Sequence, residues 1–147
     1  MSCPSVRVDF YILAATGSSA RLRFACRLTE KAYGLKRKIH AFTSSAAMAR
    51  ELDELLWTFR QGSFVPHALL LSGTQESAVP VTIGHEDQPD TSGDFLINLG
   101  DEIPAFFDQY ERVAEIVDAT SDSRRSGRER FSFYRDNGFE PNTHNID

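Results

Sequence analysis

Four residues near the C-terminal end carry the most suggestive spacing in the chain. Arg124, Arg128, Phe131 and Arg135 follow one another at intervals of 4, 3 and 4, so on a helix they share one face. Guanidinium groups pair bidentately with carboxylates, and a ring set among them can receive an apolar side chain. Such a face suits an acidic peptide that ends in an aromatic residue and a carboxylate. It equally suits a solvated helix laced with its own ion pairs, because Glu129 and Asp136 are close by. A second group, Trp57, Phe59, Phe64, Val65 and Pro66, straddles the end of a helical segment and the Gly62 turn after it. Large apolar groups left at a surface mark a partner interface. The alternative is that Trp57 and Phe64 close the core beneath the loop. The residue pattern leaves both alternatives open in each case.

Motifs of catalysis and cofactor binding are missing. The turn after the first apolar run reads AATGSSAR, with one glycine where the dinucleotide fingerprint needs three. No GxxxxGK[ST] phosphate loop and no GxSxG nucleophile elbow occurs. His40, His67, His85 and His144 are dispersed and lack metal-ligand spacing. Cys3 and Cys26 form no CxxC and read as free thiols, which argues against a disulfide framework and against zinc. Glu86, Asp87, Asp90 and Asp94 lie in the turn-rich stretch GHEDQPDTSGD, which lacks the ordered ligand spacing of a calcium loop and reads as an exposed acidic loop. No catalytic residue, cofactor or metal is assigned.

The elements that must position these residues follow from periodicity. Val6 to Leu13 is rich in β-branched and aromatic residues and stops at Thr16-Gly17-Ser18-Ser19, which predicts a strand feeding a helix. Apolar positions recur at helical spacing from Ala20 to Tyr33, and Gly34 is the expected stop. Lys38 to Phe42 reads as a strand, with Thr43-Ser44-Ser45 as an N-cap for the next helix. In that helix Met48, Leu52, Leu55, Leu56 and Phe59 fall at i, i+4, i+7, i+8 and i+11. Pro66 cannot donate to a ladder, so the next strand begins after it, over His67 to Leu71. Strand-like runs recur at Val79 to Ile83, Phe95 to Leu99 and Val113 to Val117, with helix-type residues at Ala105 to Tyr110. A last helix fills much of Ser121 to Gly138, and the polar tail from 140 to 147 reads as irregular. This alternation predicts an α/β fold: a three-layer, mainly parallel sheet with helices on both faces, Rossmann-like in topology but without a nucleotide site.

With 147 residues, 41% of them hydrophobic and 25% charged, residues 1–147 read as one domain whose core needs no staple. No apolar run reaches transmembrane or signal-peptide length, so a soluble cytoplasmic protein is expected. The net charge of -5 conceals an asymmetry. Residues 1–60 hold 10 Lys/Arg against 5 Asp/Glu, residues 61–120 hold 1 against 11, and residues 121–147 hold 5 against 5. The acidic middle argues against direct nucleic-acid binding, while local basic surfaces could receive a short acidic partner.

Two blocks carry a family likeness. LDELLWTFRQGSFVPHAL (Leu52 to Leu69) and RERFSFYRDNGFEPNTHN (Arg128 to Asn145), with the opening VDFYIL, resemble the chi subunits of bacterial DNA polymerase III holoenzyme over essentially the whole chain. The resemblance implies a non-catalytic adaptor of the clamp-loader assembly, with one surface for the psi subunit and another for the acidic, Phe-ending tail of single-stranded DNA-binding protein (SSB). It puts the psi-side positions on Trp57, Phe64 and Pro66, a surface that in the family can instead meet an accessory XPD-like helicase. It puts the SSB-tail positions on Val117, Arg124, Arg128, Phe131 and Thr143. The alternative of another class is a Rossmann-like nucleotide-binding enzyme with a degenerate phosphate turn. Phe131 stands where the family commonly has Tyr, and Arg124 where a lysine is usual. Gly127 costs a helix about 1 kcal/mol relative to alanine. Ser126 with Glu129 forms a capping-box pattern, so the helix start is expected to slip to Ser126 and leave Arg124 on a loop.

Overall fold

The computed structural model describes residues 6–58, 67–69, 80–84, 93–100, 102–104 and 107–146. Their elements, in chain order, are β1 (Arg7–Leu13), α1 (Ser18–Gly34), β2 (Ile39–Phe42), α2 (Ala46–Thr58), β3 (His67–Leu69), β4 (Val81–Gly84), β5 (Gly93–Asn98), β6 (Tyr110–Val117), α3 (Ser121–Asp136) and β7 (Asn142–Ile146). The strands form one sheet in the order β3-β4-β2-β5-β6-β1-β7, and every described pair is parallel. The expected α/β architecture is therefore present.

Strand alternation divides the core in two. On one face Leu13, Ile39, Ala41, Ile83, Ile97 and Ile116 pack against Leu22, Ala25 and Cys26 of α1 and Leu52 and Leu56 of α2. On the other, Val8, Phe10, Leu96, Val113 and Val117 pack with Tyr134 of α3 and Phe131 beside it. Among the described residues, α1 and α2 cover one face and α3 covers part of the other. A parallel sheet has to bury both faces, so the residues facing α3 are the ones left with room beside them.

The helix ends show which residues control their lengths. Ser45 caps α2, its hydroxyl accepting from the Met48 N–H at 3.1 Å. α1 ends at Gly34 as expected, but the residue in the left-handed region is Lys36, with φ 62°. There the Lys36 N–H bonds to the Tyr33 carbonyl and the Arg37 N–H to the Ala32 carbonyl, the two bonds of a Schellman closure. α3 closes in the same way around Gly138, at φ 91°, where the absence of a Cβ removes the strain.

Three further expectations are corrected. The segment read as helical over 105–110 holds a 3-10 turn at Phe107–Gln109, and Tyr110 already opens β6. The tail from 140 to 147, read as irregular, contains β7, which pairs with β1 from Asp9↔Asn142 to Leu13↔Ile146. Partners on β1 hold it, since the His144 ring stacks on Tyr11 at 5.0 Å and its Nε2 lies 3.0 Å from Asp9 Oδ1. Last, α3 starts at Ser121 and not at Ser126. The acidic stretch over 85–92 lies outside the described residues.

Candidate functional site

The start of α3 is set by Asp118, at the end of β6. Its Oδ1 accepts from the Thr120 N–H at 2.7 Å and the Thr120 hydroxyl at 2.6 Å. The Thr120 hydroxyl in turn accepts from the Ser123 N–H at 3.3 Å. This N-cap adds the turn that carries Arg124 to the helix. Burial raises the Asp118 pKa, but the Thr120 bonds, Arg21 and the Gly17 N–H more than offset it and hold the carboxyl below its usual range. Ser126 lies inside the helix, where its hydroxyl accepts from Arg130.

Gly127 is tolerated because its missing side chain lets α3 approach the sheet. A Cβ there would lie 2.8 Å from Val117 Cγ2 and 3.3 Å from Cγ1. Behind it, Arg130 Nε donates to Glu115 Oε1 at 2.8 Å and the Tyr134 hydroxyl to Oε2 at 2.6 Å. Asn98 Nδ2 donates to both carboxylate oxygens at 3.1 and 2.9 Å. Burial pushes the Glu115 carboxyl up, while Arg130, Asn98 and Tyr134 pull the other way. These bonds fix the rotation of α3 about its axis, so that the opposite edge, with Arg124, Arg128 and Phe131, faces outward beside β7.

Between that edge and the sheet lies a cavity of about 210 Å³, lined by Phe10 and Ile12 of β1, Val117, Thr143 of β7, and Arg124, Gly127, Arg128 and Phe131 of α3. All five residues that the resemblance assigned to a tail site, Val117, Arg124, Arg128, Phe131 and Thr143, line it. Phe10 and Thr143 are register partners across the β1–β7 pair. The Phe10 and Phe131 rings stand 5.3 Å apart, tilted by 55°. The floor is apolar, and the two exposed guanidinium groups sit on the α3 side. Among the described residues the exposed ion pair of α3 is Arg125 with Asp122 at 2.6 Å, and neither Arg124 nor Arg128 is paired with Glu129 or Asp136. Arg135, the fourth residue of the spaced set, does not line the cavity. An apolar pit edged by two uncompensated cations can hold a ring and its neighbouring carboxylate together.

A family model described as DNA polymerase III chi subunit, HolC, matches residues 6–142. This chain belongs to the DNA polymerase III chi subunit family. DNA polymerase III subunit chi of Pseudomonas aeruginosa is 38% identical over 140 residues, covering 95% of this chain and 96% of the relative. The subunits of Haemophilus influenzae and Escherichia coli are each 30% identical over 139 residues, covering 94% and 91% of this chain and 96% and 94% of their own lengths. Among solved structures, a variant of S. cerevisiae Dbp5 bound to a Gle1 variant and IP6 matches with a TM-score of 0.59 and 12% identity. That match covers 99% of this chain and 43% of the other, and shows the fold alone.

Sequence reasoning missed Phe10 and Ile12, although their spacing of two on a strand puts both on one face. It also missed the Glu115 anchor, for which a glutamate in an otherwise apolar strand was the available signal. Of the apolar group, Trp57 is 51% exposed at the end of α2. Its ring lies 4.4 Å from that of His67, whose Nε2 contacts the Asp53 carbonyl at 3.1 Å. Trp57 therefore does not close the core. Phe64 and Pro66 lie outside the described residues. Among the described residues no group of three His, Cys, Asp or Glu is placed to hold a metal, and no helix is long and apolar enough to cross a membrane.

The crevice at the carboxyl ends of the strands, where related folds hold phosphate, has its own anion. The Asp118 carboxylate accepts backbone hydrogen bonds from Gly17, before α1, and Thr120, before α3, and Arg21 Nε lies 3.2 Å from its Oδ2. A phosphate entering there would meet a carboxylate already occupying the helix N-termini.

Proposed function

We propose that this chi-family chain is a non-catalytic, cytoplasmic adaptor of the DNA polymerase III clamp-loader assembly that captures the acidic C-terminal tail of SSB. In this reading Phe10, Ile12, Val117 and Phe131 receive the tail's final aromatic ring, and Thr143 borders it. Arg128 clamps the terminal carboxylate, and Arg124 pairs with an acidic residue further back. The observation that carries the reading is the 210 Å³ apolar cavity edged by two arginines without carboxylate partners among the described residues. The exposed Trp57, with Phe64 and Pro66, forms the separate surface for psi or for an XPD-like helicase. Binding to the tail holds the polymerase assembly on SSB-coated DNA, where the many tails of bound SSB raise the effective concentration.

The test is fluorescence anisotropy with a labelled acidic peptide ending in Phe, beside the same peptide lacking that Phe. Expected is micromolar affinity, about -8 kcal/mol, weakened by salt and lost without the ring. Arg128→Ala should weaken it at least tenfold. Wild-type affinity in that variant would refute the clamp.

A further inference from the structure

The basic segment at the start of the chain plays no part in the cavity. Between residues 18 and 38 there are seven Lys/Arg and one acid, Glu30. Arg21 is turned inward, its guanidinium bonding the Leu99 carbonyl at 3.0 Å and pairing with Asp118. Of the others, Arg23, Arg27 and Lys31 lie on α1, and Lys36, Arg37 and Lys38 follow its end. Arg23, Arg27 and Lys31 are all exposed and recur every four residues, so they stand in one row about 12 Å long at 1.5 Å rise per residue. The row is followed by Lys36 and Arg37, the two residues of the Schellman closure. Among the described residues no carboxylate pairs with Arg23, Arg27, Lys31, Lys36 or Arg37; the neighbouring Asp94 accepts from the backbone N–H of Lys38. On a chain of net charge -5 this is a locally basic surface.

We propose that the outer face of α1 is a docking surface for the phosphodiester backbone of single-stranded DNA. The row has cations at a regular rise, neither of the two cavities among the described residues is lined by Arg23, Arg27 or Lys31, and the large apolar group exposed at its end is Leu35. A short acidic peptide gains affinity from an apolar anchor in a pocket, which this surface does not offer. A uniformly charged strand needs only cations in line, and sequence-independent contact with it is electrostatic. Tyr33 and Phe24 on the same helix are packed against the core and are not stacking platforms, so bases are not read. A single strand is flexible enough to follow the row and then turn with the chain at Lys36, whereas a duplex keeps its phosphates on a rigid cylinder. Because α1 and α3 cover opposite faces of the sheet, the row and the cavity can be engaged together. The net charge and the acidic middle segment argue against nucleic-acid contact for the chain as a whole; the unpaired row on α1 is the exception proposed for this one face.

The test is anisotropy of a labelled oligo-dT with the full chain at about 50 mM salt. Expected is a dissociation constant of about 10 to 100 µM, with log K falling against log[salt] at a slope of about -2 or steeper. The triple variant Arg23→Glu/Arg27→Glu/Lys31→Glu should weaken binding at least tenfold and reduce the slope by about 2. The neutral triple change to Gln should give an intermediate loss at an unchanged melting temperature. Arg128→Ala should bind oligo-dT as the wild type does, which separates this surface from the tail site. Unchanged binding in the charge-reversed variant would overturn the proposal, as would absence of binding at low salt. Equal affinity for a duplex of the same length would overturn the single-strand assignment, and tighter, row-dependent binding of polyglutamate would point to an acidic protein instead.

Discussion

Gly127→Ala sets two effects of similar size against each other, and the structure decides the sign. In an isolated helix the change would stabilise by about 1 kcal/mol, because glycine is the poorer helix former. Here the new Cβ would sit 2.8 Å from Val117 Cγ2 and 3.3 Å from Cγ1. Val117 cannot swing away, since it is buried at the end of a sheet strand and a β-branched side chain has little χ1 freedom. Overpacking of this kind costs about 1 to 3 kcal/mol. The net expectation is a loss of about 1 kcal/mol, a fall of roughly 3 °C in melting temperature for a domain of this length. The decisive comparison repeats the change in a Val117→Ala background, which removes both offending methyl groups. There Gly127→Ala should become stabilising by up to about 1 kcal/mol. Urea unfolding of the four proteins of this cycle gives the sign directly. Both residues line the cavity, so Gly127→Ala should also weaken tail-peptide binding. A gain of stability from Gly127→Ala with Val117 intact would show that α3 does not lie this close to the sheet.

Two further outcomes follow from buried titratable groups. His40, bonded through Nδ1 to the Thr82 hydroxyl at 2.7 Å, is pushed down from 6.5 to about 4 by burial. Its contribution to stability is complete above pH 6.5 and is lost as pH falls toward about 4, by about 3 kcal/mol in total. The difference between wild type and His40→Gln in urea unfolding should shrink over that window, and a constant difference would refute the assignment. Burial raises the Cys26 thiol to about 12, so iodoacetamide should leave it unmodified in the native protein near neutral pH and alkylate it in guanidinium chloride, as read by peptide mass spectrometry. Rapid native alkylation would show that α1 opens.

What could be read from the residues, and what could not, divides along a physical line. α1 and α2 announce themselves because each buries one face and so carries a period of 3.6, and β1 because it buries both faces and so reads as a β-branched and aromatic run. β7 does not, because it is an edge strand with the sequence NTHNI, four of whose five residues are polar. Its place is set by tertiary partners, the Tyr11 ring under His144 and the Asp9 carboxylate beside it. Burial acts to raise Asp9, and His144, Arg112 and Arg7 together hold it below the usual range. Thr143 was therefore assignable only through family likeness, although the strand that carries it was read as irregular. Tyr110 was read as helical for a related reason, since Glu111 and Arg112 interrupt the apolar alternation at the start of β6.

The start of α3 shows how a local rule loses to geometry. Propensity at Gly127 and the capping-box pattern of Ser126 and Glu129 both favoured a shorter helix. Asp118 and Thr120 instead cap a longer one, at the end of the strand that also supplies Glu115 to hold Arg130 and Tyr134. The glycine that should have broken the helix is the position where helix and sheet touch. A larger residue there would lift α3 from Val117 and separate the arginines from the apolar floor. Helix propensity is thus given up at one residue, and the close approach of Arg124 and Arg128 to Phe10 and Ile12 is what the concession makes geometrically attainable.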